Sequence, residues 1–87
     1  MKNLNTRVYA RNGKHGVDLF LDISGIQHYL VTRRSNDLLL YWLKDGISLG
    51  ELSRIKPSRN KAEQKRYHYA KYIMKIVNEY ITHELAA

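Results

Sequence analysis

Two periodicities divide this chain. Val17, Leu19, Leu21 and Ile23 alternate with Asp18, Phe20 and Asp22, and a period of two marks a strand with one buried face. Turn chemistry brackets that strand: Asn12–Gly16 ("NGKHG") before it and Ser24-Gly25 after it, since Gly and Asn tolerate positive φ. Residues 7–11 supply a first strand and residues 27–34 a third. On the third, Tyr29 and Val31 fall on one side and His28, Leu30 and Thr32 on the other; which side meets the core is open. From Ser35 the period changes to 3.6. Ser35, Asn36 and Asp37 each suit a helix N-cap, and Leu38, Leu39, Tyr41, Trp42 and Leu43 give a broad apolar face up to Gly46, a natural helix stop.

Ser48 and Glu51 then have the spacing of a capping box, which predicts a short second helix over about residues 49–55. Pro57 ends it, because the residue before a proline avoids helical geometry. Ser58 is the expected cap of a long third helix over about 59–85. Tyr69, Ala70, Ile73, Ile76, Val77, Tyr80 and Ile81 recur at spacings of three and four and so share one face. Lys61, Lys65, His68, Tyr72 and Lys75 share another. The fold class expected is α+β: a three-stranded antiparallel β-meander followed by three helices, the C-terminal one long. Leu19, Leu21, Leu39, Trp42, Leu52, Ile73, Ile76 and Val77 are the expected core. No repeat, linker or low-complexity stretch marks a boundary, so one domain is expected over 1–87, with the meander in 1–34 and the helical part in 35–87.

Charge changes the picture more than composition does. The 87 residues carry a net charge of +7 and are 44% hydrophobic, enough apolar content for a folded domain with a small core. Between Arg54 and Lys75 stand eight basic residues (Arg54, Lys56, Arg59, Lys61, Lys65, Arg66, Lys71, Lys75) and one acid, Glu63. The remainder holds seven of each sign, so the whole excess lies in one segment. A one-sided basic field attracts polyanions: nucleic acid first, an anionic membrane or an acidic protein surface second.

"LKDGISLGELSRIKPSRNKAEQKRY" (Leu43–Tyr67) resembles helix-turn-helix DNA-binding proteins. The resemblance rests on Gly46, Ser48, Glu51, Leu52, Ser53 and Arg54, then Ser58, Arg59 and Asn60. It implies that Ser53 lets two helices approach closely and that the first turn of the long helix enters a major groove. Arg59, Asn60 and Lys61 would then approach base edges, and Arg54, Lys56, Lys65, Arg66, Lys71 and Lys75 would meet phosphates. Three strands before a helix also resemble the arm-binding domains of phage and transposon integrases, which lay a sheet in the major groove; the stripe Arg7, Tyr9, Arg11 would be its contact. "NKAEQKR" resembles the start of the last helix of double-stranded-RNA-binding domains, but the helix those place before their sheet is not visible here.

Catalytic and metal chemistry find little footing. The chain has no cysteine, which excludes disulfides, thiolate zinc sites and a cysteine nucleophile. His15, His28, His68 and His83 are scattered with no metal-ligand spacing. Asp18 and Asp22 share a strand face about 13 Å apart, too far for a carboxylate dyad. No phosphate-cradling glycine loop appears. The chain is read as a non-enzyme without cofactor or metal. Four of its seven tyrosines lie between Tyr67 and Tyr80, among the lysines; Tyr69 and Tyr80 are expected in the core, and Tyr67 and Tyr72 exposed. "MKNLNTRVYA" lacks the apolar core of a signal peptide, and no apolar run approaches a bilayer span, so a cytoplasmic protein is expected.

The leading expectation is a small DNA-binding accessory or regulatory factor of a phage or mobile element, with RNA as a second nucleic-acid target. The alternative is a protein-interaction module, such as a phage- or plasmid-encoded inhibitor whose basic helix covers an acidic or nucleic-acid-binding surface of a host protein. Oligomeric state is open, a homodimer included.

Overall fold

The computed structural model describes residues 6–34 and 37–85. The fold is α+β. Strands β1 (Thr6–Gly13), β2 (Gly16–Ile23) and β3 (Ile26–Arg33) form an antiparallel meander. They are followed by α1 (Asp37–Leu43), a two-residue β4 (Ile47–Ser48), α2 (Leu49–Ser53) and α3 (Lys61–Tyr80). A π-helical turn, Ile81–Leu85, continues α3, giving a C-terminal helical stretch of 25 residues. The candidate caps Ser35 and Asn36 lie outside the described residues; Asp37 is the first residue of α1.

β4 was not legible as a strand. Ile47 and Ser48 read as turn and cap, yet they pair with β1, Val8 opposite Ile47 and Arg7 opposite Ser48. The sheet order is therefore β3-β2-β1-β4. This pairing ties the chain beyond α1 back to the sheet. The chain divides into two compact units at Leu49/Gly50, and α1 and β4 fall in the unit that holds the meander.

In the first unit one sheet face is buried. Val8 and Ala10 of β1, with Val17, Leu19 and Leu21 of β2, are 0–2% exposed, as the alternation demands. Leu39 and Leu43 of α1 and Ile47 of β4 are buried as well, and α1 packs against β1. Trp42, expected in the core, is half-buried. Ser24 and Gly25 both take positive φ, 51° and 92°, as a two-residue type I′ hairpin turn requires. The Asp22 carboxylate accepts the Gly25 N–H at 2.9 Å and braces that turn.

β3 breaks its own alternation. Leu19 faces Val31 while Phe20 faces Tyr29, which leaves Leu30 as the extra residue of a bulge. A bulge shifts a period of two by one position. Tyr29 and Thr32 thus share the solvent face, joined oxygen to oxygen at 2.6 Å. This corrects the expected grouping, in which Tyr29 lay with Val31 and Thr32 with Leu30.

In the second unit the buried side chains are Leu52 of α2 and Ala70, Ile73 and Val77 of α3. Ile76 is half-buried, and so are Tyr67, Tyr69, Tyr72 and Tyr80. The expected split of the tyrosines into a core pair and an exposed pair does not hold, since all four are half-buried.

Candidate nucleic-acid interface

α3 owes its start to Asn60. With φ −71° and ψ 127°, Asn60 is the N-cap, and its side-chain oxygen accepts the N–H groups of Ala62 and Glu63 at 3.0 and 3.2 Å. Ser58, the cap expected from sequence, stands two residues too early. Its hydroxyl instead accepts the Asn60 N–H at 3.1 Å, and its own N–H donates to the Gln64 side chain at 2.8 Å. Two candidate caps were available two positions apart, and it is the later one that takes the helix N–H groups. Glu63 in the first turn complements the positive end of the helix. Lys, Ala, Glu, Gln and Arg, all good helix formers, fill the next positions.

From there the helix separates its faces. Ala70, Ile73 and Val77 are buried, and Lys61, Lys65, His68, Lys71 and Lys75 are exposed on the opposite side. At 1.5 Å per residue, Lys61 to Lys75 spans about 21 Å. Lys71 holds its ammonium 5.5 Å from the centre of the Tyr67 ring, and Tyr67 leans on His68 with ring centres 5.7 Å apart. Gln64 and His68 meet at 3.3 Å, one turn apart on the same stripe. Arg66 is exposed too, but it points away from the lysine row. Glu63 lies across the helix from the lysines, so it does not neutralise them.

The other basic residues precede α3. Arg54, Lys56 and Arg59 are exposed in the segment 54–60. α2 closes with the Arg54 and Ile55 N–H groups on the carbonyls of Glu51 and Leu52, at 3.2 and 3.3 Å. α2 is five residues long and the segment between the helices seven. In helix-turn-helix proteins the turn is about three to four residues. Arg59 stands one residue before the cap with its side chain exposed. Asn60 is exposed as well, but both lone pairs of its oxygen serve the helix. An adenine edge needs that same oxygen as acceptor.

On the sheet, Arg7, Tyr9 and Arg11 do share the solvent face. Arg7 donates to the Gly46 carbonyl at 3.0 Å. The Tyr9 ring lies against Gly46, whose φ is +85° and where an added Cβ would come within 2.6 Å of that ring. The Arg11 guanidinium sits 5.5 Å from the centre of the Phe20 ring. Phe20 and Tyr29 were not singled out from sequence. The cross-strand register sets Phe20 beside Tyr9 and Tyr29 beside Phe20, and for Tyr29 that placement needs the bulge.

Among the described residues no three His, Asp or Glu side chains converge as metal ligands, and no helix is long and apolar enough to cross a membrane. No protein-family model, curated protein or solved structure matches the chain.

Proposed function

We propose that this protein binds nucleic acid, duplex DNA in the first place, through the exposed cationic face of α3, and acts as an accessory or regulatory factor of a phage or mobile element. One observation carries the binding reading: Lys61, Lys65, Lys71 and Lys75 line one solvent face of α3, opposite the buried Ala70, Ile73 and Val77. A duplex presents one phosphate charge per ~1.7 Å of its axis, so a stripe of about 21 Å can meet several phosphates. Arg54 and Lys56, exposed in the segment before α3, add to the positive charge, while Arg66 stands off the stripe. Sequence readout falls to Arg59 and Lys61. Asn60 is held by its cap, and using it would undo that cap.

The test is a fluorescence-anisotropy titration of labelled duplex DNA over a range of salt. With some five phosphates contacted, affinity should fall by ~4–5 powers of ten per tenfold rise in salt, from a slope of about −0.9 per phosphate. A dissociation constant weaker than roughly 100 μM at low salt, where non-specific binders already do better, would remove the DNA reading. An acidic protein surface would then be the partner to look for along the same stripe.

A further inference from the structure

The solvent face of the sheet holds a second arrangement with its own chemistry. Tyr9, Phe20 and Tyr29 are direct cross-strand partners, one from each strand of the meander. They form an aromatic row across the sheet. Phe20 and Tyr29 meet edge to face, with ring centres 6.0 Å apart at 69°, and Tyr29 is 53% exposed. The hydroxyl of Tyr29 is tied to Thr32, whose hydroxyl donates to Asp18 at 2.6 Å, so the tip of the exposed ring is anchored to the sheet.

The charged groups around the row are not equivalent. Asp18 accepts from Thr32, and Asp22 accepts from the N–H of Gly25. Each carboxylate thus holds one hydrogen bond within the sheet and stands on the solvent face opposite an arginine. Arg11 lies over Phe20 as an exposed guanidinium. Arg7 donates one N–H to Gly46, and a guanidinium has five. The groups on this face that offer a π-face or N–H donors to a ligand are the aromatic rings and the arginines.

We propose that this face binds single-stranded nucleic acid, with two or three unpaired bases stacked on Tyr29, on the Phe20–Arg11 pair and on Tyr9, and with Arg7 and Arg11 meeting the adjoining phosphates. Bases stack on aromatic rings and on guanidinium planes, and every base has a π-face to offer. A duplex offers none, because its bases already stack on each other. The ring spacing also suits a splayed strand. It follows the separation of β-strands, ~4.8 Å or more, and exceeds the ~3.4 Å rise of a stacked duplex strand. The inference rests on the nucleic-acid reading of the preceding section but concerns a different surface and a different form of the polymer.

The two surfaces are separable by salt. Arg7 stands opposite Asp22, and Arg11 opposite Asp18, so the sheet face has no net charge and contacts at most about two phosphates. Its slope should be shallow, near −1.4 at about −0.7 per phosphate for a single strand. The experiment uses the full chain with labelled fifteen-nucleotide oligothymidylate, oligouridylate and a duplex of equal length, in a salt series, for the wild type, Tyr29→Leu and Tyr29→Phe. Circular dichroism melts confirm that each variant folds. Tyr29→Leu should weaken single-strand binding on the order of ten- to a hundredfold and leave duplex binding unchanged. Tyr29→Phe, which keeps the ring, should retain most of it. Duplex binding without single-strand binding in the wild type would overturn this proposal and leave the α3 reading standing. So would a folded Tyr29→Leu that binds single strands as the wild type does, or that loses both polymers equally. Binding of neither polymer would overturn both readings.

Discussion

On the sheet, each arginine of the solvent face has an aspartate opposite it, Arg7 with Asp22 and Arg11 with Asp18. On α3, four lysines follow one another along one face, and the first acid to join them is Glu79, one turn beyond Lys75. The first arrangement is what a solvated sheet favours, since opposite charges across strands stabilise it by roughly 0.2–1 kcal/mol a pair. The second is what an isolated helix does not favour. Lys61/Lys65 and Lys71/Lys75 are like charges at i,i+4, each costing the helix a few tenths of a kcal/mol. A polyanion relieves that repulsion on α3 and finds nothing comparable to relieve on the sheet. The sheet face is distinguished by its rings, and the helix face by its charge.

The largest expected effect tests whether α3 is a packed helix or a bare cationic arm. Ile73 and Leu19 are both fully buried, one in each unit. Truncating either to Ala should cost about 2–5 kcal/mol, a large share of the ~5–15 kcal/mol that holds a native domain together. For a chain of this size that lowers Tm on the order of 10–30 °C, read by a circular dichroism melt. If Leu19→Ala lowers Tm and Ile73→Ala leaves it unchanged, the buried face of α3 contributes no stability and the comparison fails.

Next in size is the division of labour along the basic segment. Arg59→Ala should cost roughly 1–3 kcal/mol on a preferred DNA site and little on random DNA, as removal of a base contact does. Lys65→Ala, Lys71→Ala and Lys75→Ala should each weaken binding to every sequence alike and flatten the salt slope by about one unit. Lys14, exposed in the turn between β1 and β2, is the control on the sheet side. Lys14→Ala should change neither quantity. A salt slope that responds to Lys14 as strongly as to Lys65 would erase the contrast between the two surfaces.

How far these surfaces could be read from sequence depended on whether the pattern was interrupted. The alternation through Val17, Leu19 and Leu21 names its buried face outright, and the spacing of Ala70, Ile73 and Val77 does the same for α3. Lys61, Lys65 and Lys75 then fall on the far side by geometry alone. Leu30 defeats such reasoning. A bulge moves every later residue of the strand to the other face, and no Gly or Pro in "HYLVT" announces it. β4 escaped because two residues are too few to show a period. Ser48 also carries a competing capping signal, and it does stand directly before α2. The start of α3 lies two residues beyond the one expected because Ser58 and Asn60 are both good caps, and it is the Asn60 oxygen that takes the N–H groups of Ala62 and Glu63 while Ser58 binds Asn60 and Gln64.

Asn60 therefore carries the smallest and most discriminating prediction. Its oxygen cannot cap α3 and accept from an adenine at once, because Ala62 and Glu63 already occupy both lone pairs. Ser caps a helix about as well as Asn, whereas Ala does not and costs about 1 kcal/mol. Ser also lacks the paired donor and acceptor that fit an adenine edge. If Asn60 acts as a cap alone, Asn60→Ser should leave both stability and site preference as they are, and Asn60→Ala should lower Tm by several degrees. If Asn60 reads a base, Asn60→Ser should keep the melt of the wild type and still lose about 1–3 kcal/mol on the preferred site. A melt and a pair of titrations, on preferred and random duplexes, separate the two. The cap geometry argues for the first outcome.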